Sequence, residues 1–327
     1  MADYTVSAEH DSESGNDHSP EMDRRGFLKC MAWAGTGLVW VASGGVVSSR
    51  LLGVPTAHTA QGPGGDFSFV QISDTHIGFN QAPNMDVAGT LRAAIERINT
   101  LQPAPVFMIH TGDLSHGQKS GAFDTLDEIL STARVGQIFY VPGEHDVFAD
   151  GGTEFLGRYG RNSVGGNGWY SFDYNGVHFI GLINVLSFKE DTMGTLGAEQ
   201  LDWLRKDVEG LSSSTPLVVF THIPLWAVYP EWGWMTDDAD QALALLSRFG
   251  SVTVLNGHIH QVLQKVEGNV TFHTARSTAY PQPAPGTAPA PGPLQVPADQ
   301  VRGFVGLRQV RYVQGQSPLA VVDSTLS

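Results

Sequence analysis

The sequence contains very little cysteine and little basic charge. With Cys30 as its single cysteine it cannot form a disulfide framework or a zinc–thiolate cluster, so a metal would be held by His, Asp, Glu or Asn. Lysine and arginine number 19 against 33 acidic residues, which gives a net charge of −14 at pH 7. Because an acidic body repels nucleic-acid phosphates, we expect no nucleic-acid partner. Positive charge for an anionic substrate must then come from a local source such as a metal.

The N-terminus has the composition of a targeting segment. Residues 1–23 are polar and acidic, which is typical of disorder. The string Arg24-Arg25-Gly26-Phe27-Leu28-Lys29 precedes the uncharged residues 30–49, and together they resemble a twin-arginine export signal. The other interpretation left open is an ordinary transmembrane anchor, since about 20 residues suffice to span a bilayer.

The resemblance implies export across the cytoplasmic membrane by the twin-arginine machinery, to the periplasm or another extracytoplasmic space. No A-x-A cleavage triplet follows the apolar segment, so an uncleaved segment would anchor the protein to the membrane. We therefore assign residues 1–60 to a tail and signal segment. Residues 61–327 are expected to form one α/β domain.

Strand-like and helix-like segments alternate in the first half of that domain. Short apolar runs predict strands, and stretches with apolar residues at helical spacing predict helices. In chain order they are a strand at 67–73, a helix at 86–101, a strand at 106–110, a helix at 122–133 and a strand at 137–141. This alternation indicates crossover units and a largely parallel sheet.

The second half is richer in hairpins, which favours two sheets that face each other. The predicted elements are a hairpin at 169–183 turning at Asn175-Gly176, a helix at 197–211, a strand at 217–222, a helix at 237–249 capped by Thr236 or Asp237, a strand at 252–258, a hairpin at 261–275 and a closing strand at 304–313. The proline-rich segment 281–297 is expected to be an extended surface loop.

Acidic and histidine residues follow five of these strands. The motifs are Asp74-Thr75-His76, Gly112-Asp113, Gly143-Glu144-His145-Asp146, Thr221-His222 and Gly257-His258-Ile259-His260. Sites in α/β sheets assemble at the carboxyl ends of strands. Imidazole nitrogens and carboxylate oxygens together are ligands for zinc, manganese or iron. The pattern predicts a metal site.

In this order, the motifs resemble the signature of the calcineurin-like metallophosphoesterases, in the branch near bacterial cyclic-nucleotide phosphodiesterases. The resemblance implies an α/β fold, a two-sheet α/β/β/α sandwich, with two metal ions of iron, manganese or zinc. It also implies roles for individual residues: Asp74, His76 and His260 hold one metal, His222, His258 and the residue at position 144 hold the other, Asp113 bridges them, His145 is catalytic and Asp146 orients it.

Paired metals of this kind imply hydrolysis of a small phosphoester substrate. Two divalent ions share a hydroxide, which attacks phosphorus in line with the departing oxygen. His145 would donate a proton to that oxygen or stabilise its charge as an imidazolium. We expect a phosphodiesterase. A phosphomonoesterase on the same site and a non-hydrolytic metal-binding or sensing protein remain as alternatives.

Glu144 is the departure from the pattern, since the family has Asn at this position. With Asn, two divalent ions, two aspartates and a hydroxide sum to +1, and an ionised Glu144 brings the sum to zero. A neutral centre would attract a phosphate dianion less than a positive centre would, and a monoanionic diester would be affected less than a dianionic monoester. Three interpretations stay open: Glu144 is a ligand, it turns away and weakens the second site, or the chain has left phosphoester chemistry.

Several other polar and aromatic residues are open to two interpretations. His116 either faces the substrate or is a solvated loop residue, and Asn184 is a possible polar contact near the metals. The aromatic residues after His222 either pack over the sandwich edge or form a wall for a base or apolar ester group. Structural roles are expected for His110, His178 and His273.

Overall fold

The computed structural model describes residues 38–43, 46–51, 65–186 and 194–327. The acidic tail and the Arg24–Lys29 string, on which the export prediction rests, lie outside the described residues. The chain divides into two compact units, residues 1–55 and 56–327. In the first unit, strands β1 (Leu38–Ser43) and β2 (Val46–Leu51) pair antiparallel. None of the helices in the described ranges is long and apolar enough to cross a membrane.

The second unit contains the remaining elements. Its helices are α1 (Val87–Ile98), α2 (Ala122–Leu130), α3 (Thr153–Tyr159), α4 (Ala198–Glu209) and α5 (Ala239–Leu246). Its strands are β3 (Phe67–Ile72), β4 (Met108–Thr111), β5 (Ile138–Val141), β6 (Tyr170–Tyr174), β7 (Val177–Gly181), β8 (Leu217–Phe220), β9 (Val252–Asn256), β10 (Leu263–Glu267), β11 (Val270–Thr274), β12 (Gly306–Tyr312) and β13 (Ala320–Thr325).

These strands form two mixed sheets. One has the order β13-β12-β3-β4-β5 and the other β10-β11-β9-β8-β7-β6. Strands β3, β4 and β5 are parallel, as are β7, β8 and β9. The predicted α/β class with two sheets is confirmed. The two C-terminal strands return to the first sheet, where β12 pairs antiparallel with β3.

Alternation along each strand sorts side chains between the inner and outer layers. Phe69 belongs to the cluster between the sheets, whereas its neighbour Val70 packs with helices α1 and α2. The other sheet behaves alike, with Val218 facing inward and Val219 packing with α4 and α5. Because successive residues of a strand point to opposite faces, the central strands β3, β8 and β9 are buried on both sides. The result is a helix–sheet–sheet–helix sandwich.

A buried cation joins the two sheets. Arg308 on β12 is 0% exposed and forms an ion pair with Asp323 on β13. It also donates to the carbonyl of Thr274 on β11 of the other sheet and to the side chain of Gln71 on β3. Gln71 in turn donates to the carbonyl of Asn256 on β9. Both sheets are thus held by one satisfied polar network.

Some predicted details were wrong or missing. Helix α3 and strand β13 were not predicted, because both are short and carry no clear period. Helix α5 begins after Asp238, not after Thr236 or Asp237, and the Asp238 carboxylate accepts hydrogen bonds from Leu196 and Gly197 instead of capping the helix. The proline-rich segment 281–297 contains neither helix nor strand, as expected.

We predict that His178 makes stability depend on pH. Burial lowers its pKa, but hydrogen bonds to Asp173 and Asp207 outweigh burial and raise the pKa to about 9. The contribution is therefore complete below the unfolded pKa of about 6.5 and is lost as pH rises through about 9. Solvent screening at the exposed Asp173 limits it to roughly 2 kcal/mol.

Urea unfolding at about pH 6 and about pH 9.5 measures this contribution. The wild type should lose stability between the two values, and His178→Gln should lose much less. An equal loss in both proteins would contradict the assignment.

Candidate metal centre

The loops after β3 and β4 stay paired beyond the ends of their strands. The amide of Asp74 donates to the carbonyl of Gly112 at 2.9 Å, and that of His76 donates to the carbonyl of Asp113 at 3.0 Å. The amide of Ile77 then donates to the carbonyl of Leu114 at 3.1 Å. Because this register continues, the first two predicted motifs lie side by side.

Motifs of the second sheet are attached to this pair of loops. The Nδ1 atom of His222 lies 2.7 Å from the carbonyl oxygen of Thr111, and the amide of His258 donates to Asp74 Oδ1 at 3.1 Å. A ring nitrogen that donates to a carbonyl leaves the other nitrogen free to bind a metal. The carboxyl ends of β3, β4, β8 and β9 therefore meet at one place.

The backbone at this place is unusual. Seven non-glycine residues of the described ranges have positive φ, and five of them belong to the predicted ligand set. The five are Asp74, His76, Asp113, His258 and His260, with φ between 42° and 69°. L-residues rarely adopt this region, and such residues cluster at functional sites, where the surrounding structure holds them.

Glycine at position 143 permits a close approach in the site. A Cβ atom there would overlap the Asp113 carboxylate and backbone amide. The same is true of Gly112, where a Cβ atom would overlap the ring of His222. Absence of a side chain at these two positions therefore lets Asp113 and His222 reach the centre.

One group of ligand atoms comes from Asp74, His76 and His260, which are all buried. His260 Nε2 lies 3.2 Å from Asp74 Oδ1 and 3.2 Å from His76 Nε2. His260 Nδ1 lies 2.7 Å from the carbonyl oxygen of Tyr280, so its Nε2 is the atom turned inward. These three side chains match the expected ligands of the first metal.

A second group comes from Glu144, His222 and His258. Glu144 Oε2 lies 2.9 Å from His222 Nε2, and Oε1 lies 3.1 Å from His258 Nδ1. Glu144 Oε2, His222 Nε2 and His258 Nδ1 are buried, yet none has a hydrogen-bond partner of acceptable geometry. Buried polar atoms without partners are rare, and a cation would satisfy all three. The residues present therefore fit a metal.

Asp113 lies between the two groups. Its Oδ2 atom is 3.4 Å from His76 Nε2 in the first group and 3.5 Å from His222 Nε2 in the second. The other oxygen, Oδ1, accepts a hydrogen bond from the His145 amide at 3.0 Å. This carboxylate is the only predicted ligand in near-equal reach of both groups.

Two carboxylates of the centre, those of Glu144 and Asp74, are held in their charged forms. Burial alone would raise the pKa of Glu144, but His258 and His222 hold it well below its usual value. Burial likewise opposes ionisation of Asp74, and His260 and His222 lower its pKa. For His222, burial lowers the pKa while Asp113 and Glu144 raise it well above the ordinary value. The site thus favours positive charge.

Asp146, which the motif resemblance predicts to orient His145, is bonded to groups of the neighbouring loops. Its carboxylate does not contact the ring of His145 but accepts hydrogen bonds from the amides of Leu114, Ser115 and Gly143 at 2.8–3.0 Å, and from the Ser115 hydroxyl at 3.0 Å. Asp146 therefore fastens the loop after β4 to the loop after β5. Because His145 directly precedes Asp146, the same bonds also fix the backbone of His145.

His145 and His116 stand together at the mouth of the site. Their rings are stacked with centroids 4.7 Å apart and planes inclined by 21°. His145 also lies 4.9 Å from the ring of His76. His116 is half-buried and lines the cavity, which favours the interpretation that it faces the substrate.

A cavity of about 340 Å³ opens beside the metal-binding groups. It is lined by aromatic rings, by the histidines and acids of the centre, and by the proline-rich segment through Gln282, Pro291, Gly292 and Pro293. Among the residues that the structure describes, none that lines the cavity is a lysine or arginine. The aromatic lining residues are Phe79, Phe148, Trp232, Trp234 and Tyr280.

Gln282 attaches the proline-rich segment to the metal centre. Its Nε2 donates to the carbonyl of His258 at 2.9 Å, and its Oε1 accepts from the amide of Gly292 at 3.1 Å. The amide of Leu294 also donates to the carbonyl of Pro281 at 2.8 Å. The segment therefore forms a closed loop that walls one side of the cavity.

Some of the remaining candidates line the cavity, and others pack elsewhere or support its loops. The cavity includes Tyr280, which sequence reasoning missed and whose hydroxyl lies 3.3 Å from His76 Nε2. Trp226 packs near Phe272 in the outer core, as the packing interpretation had it. Asn184 donates to the carbonyl of Ile223 and supports the loop after β8.

The three histidines expected to be structural lie outside the metal-binding groups. His110 is buried beside the Thr75 hydroxyl, at 3.2 Å from its Nε2. His178 is held by two aspartates, and His273 is buried on β11. The structural interpretation of all three agrees with these surroundings.

Known proteins are similar to this chain over most of its length. A family model described as calcineurin-like phosphoesterase matches residues 67–262. A 3',5'-cyclic-nucleotide phosphodiesterase of Nostoc is 28% identical over 220 residues, 65% of this chain and 79% of the relative. The serine/threonine-protein phosphatase CPPED1 of Danio rerio is 25% identical, over 60% of this chain and 71% of the relative. A dimetal phosphatase structure from Danio rerio shares the fold, with a TM-score of 0.56 at 16% identity, and covers 80% of this chain and 99% of that one.

We predict that Asp146→Asn destabilises the protein by about 2 kcal/mol, because one buried backbone amide would then face an amide donor. The matched control is Asp150→Asn, since exposed Asp150 also accepts from three amides, those of Gly152, Thr153 and Glu154. Because Asp150 is exposed, water satisfies the amide that its Asn replacement no longer accepts from, so the control should lie within about 0.5 kcal/mol of wild type. Urea unfolding measures both, and equal losses would contradict the argument from burial.

Proposed function

The chain belongs to the calcineurin-like phosphoesterase family of metal-dependent hydrolases, and on that premise we propose that it hydrolyses a phosphodiester at a centre of two metal ions. The observation that carries the proposal is the position of Asp113 Oδ2, 3.4 Å from His76 Nε2 and 3.5 Å from His222 Nε2. A carboxylate in near-equal reach of two ligand groups is suited to bridging two cations.

Each metal would be held by one group of side chains. Asp74, His76 and His260 would hold the first ion and Glu144, His222 and His258 the second, with Asp113 shared. Nitrogen and oxygen donors without thiolate suit iron, manganese or zinc. When bound, the two ions would supply a bridging hydroxide nucleophile and positive charge for the phosphoryl oxygens.

Glu144 would act as a ligand in this centre. Its two oxygens are turned toward His222 and His258, at 2.9 Å and 3.1 Å, which argues against a side chain that turns away. The same contacts speak against a centre that has lost its second site. With an ionised Glu144, two divalent ions would leave the centre close to neutral.

His145 would deliver the proton that the departing oxygen requires. Its ring lines the cavity, and its amide is bonded to Asp113 Oδ1, so its position is tied to the bridging carboxylate. Imidazole is the usual general acid near neutral pH. Stacking on His116 limits its rotation. His145 would therefore protonate the leaving alcohol as its bond to phosphorus breaks.

The cavity favours a diester over a monoester. In the described part of the chain its lining has no lysine or arginine to balance a second negative charge, and it includes Asp113 and Glu144. A diester carries one negative charge where a monoester carries two near neutral pH. Aromatic rings such as Trp232 and Phe148 offer faces for a flat ester group, such as a base. The similarity to a cyclic-nucleotide phosphodiesterase supports the same choice.

A phosphomonoesterase is the second candidate. It is favoured by the similarity to the protein phosphatase CPPED1. The cavity would need its two metals to balance the extra charge of a monoester, since no basic side chain assists them.

The test compares bis-p-nitrophenyl phosphate with p-nitrophenyl phosphate for the full chain loaded with iron, manganese or zinc. We expect faster hydrolysis of the diester and two metal ions per chain by elemental analysis. Faster monoester hydrolysis would select the second candidate. Bound metal without turnover of either ester would select a non-hydrolytic protein.

Glu144→Asn serves as the comparison variant in the same assay. It removes one negative charge, so the ratio of monoester to diester turnover should rise about tenfold, equivalent to about 1.4 kcal/mol. An unchanged ratio, with both metals retained, would show that Glu144 is not a ligand of the centre.

We also propose that the protein is exported by the twin-arginine machinery, on the basis of the Arg24–Lys29 string and the uncharged residues after it. We predict that replacing Arg24 and Arg25 by lysine keeps the charge but retains the protein in the cytoplasm, because the machinery reads the arginine pair. Fractionation of a bacterial host with that machinery measures the outcome. Arg50→Lys is the control, and unchanged export of the double variant would contradict the proposal.

A further inference from the structure

His116 lies beside His76 because the loops after β3 and β4 stay in register. The amide of His116 donates to the carbonyl of Ile77 at 2.9 Å, and Ile77 forms a parallel bridge with Ser115. Ser115 itself is fixed, since its amide donates to the Asp146 carboxylate at 2.8 Å. Backbone contacts thus place the His116 ring, independently of any ligand.

The two rings meet through their Nδ1 atoms, which are 3.2 Å apart. The opposite atom of His76, Nε2, is 3.2 Å from His260 Nε2 and 3.4 Å from Asp113 Oδ2. His76 therefore turns one nitrogen toward the first metal-binding group and the other toward His116. A ring bound to a metal through Nε2 carries its proton on Nδ1 and needs an acceptor there.

We propose that His116 is a positioning residue that accepts the Nδ1 proton of His76 and so holds its Nε2 lone pair toward the first metal. The inference rests on the metal centre of the proposed function. In this arrangement His116 carries its own proton on Nε2, on the side of the ring away from His76 Nδ1.

The same ring also supports His145. His116 stacks on His145 with centroids 4.7 Å apart, and the edge of Phe79 packs against His116 at 5.2 Å. One side chain thus fixes both a metal ligand and the proton donor, and it sets the distance between them. A purely structural histidine would do neither.

Two variants separate the hydrogen bond from the ring. His116→Phe keeps an aromatic ring against His145 but has no acceptor, whereas His116→Asn places an amide oxygen close to the former Nδ1 position. We expect His116→Phe to weaken binding of one metal about 10–100-fold, and His116→Asn to stay within about threefold of wild type.

Competition with a chelator at neutral pH, together with a metal count per chain, measures these affinities without any substrate. Unfolding of the metal-free proteins checks that both variants fold. Equal affinity of His116→Phe and wild type would overturn the proposal. So would a third ion in wild type that both variants lose, since His76, His116 and His145 would then form a metal site of their own. Wild type that binds no metal would instead refute the proposed function.

Discussion

Three carboxylates are buried within a few ångströms of one another where the two sheets meet. Asp74, Asp113 and Glu144 are 0%, 2% and 8% exposed. Burying an anion without compensation costs several kcal/mol, and burying three together costs more. The surroundings compensate with imidazoles and with amides such as those of His258 and His145. The charge that remains is what makes this place attractive to cations.

The rest of the fold keeps this arrangement from relaxing. Several ligand residues have a left-handed backbone conformation, which costs of order 1–3 kcal/mol for each residue. Without tertiary contacts these residues would adopt other conformations. Here the loops are fastened by bonds that cross from one element to another, including those of Asp146 and the network of Arg308 and Gln71. Motifs that are distant in sequence, such as those of Asp74 and His258, are therefore held together by contacts within the protein.

Sequence patterns predicted the two sheets and placed every candidate ligand at the end of a strand. They could do so because the alternation of apolar runs and polar turns shows where strands end. The motif order added what spacing alone does not contain, namely which side chains form which group. What escaped prediction depends on three-dimensional geometry. The amides that surround Asp146 and the ring contact between His116 and His76 leave no trace in spacing. Tyr280 reaches the site from a segment with no motif at all.

Gln282 closes the proline-rich loop at its base, between the carbonyl of His258 and the amide of Gly292. Residues 284–291 consequently hang from a clamp, whereas the carbonyl of Pro283 still accepts a hydrogen bond from Gln261, the residue after His260. Insertions, deletions or exchanges within that loop would reshape one wall of the cavity while leaving the centre unchanged. Changes in this loop could therefore alter which ester group is recognised, in evolution or by engineering, without altering the residues that act on phosphorus.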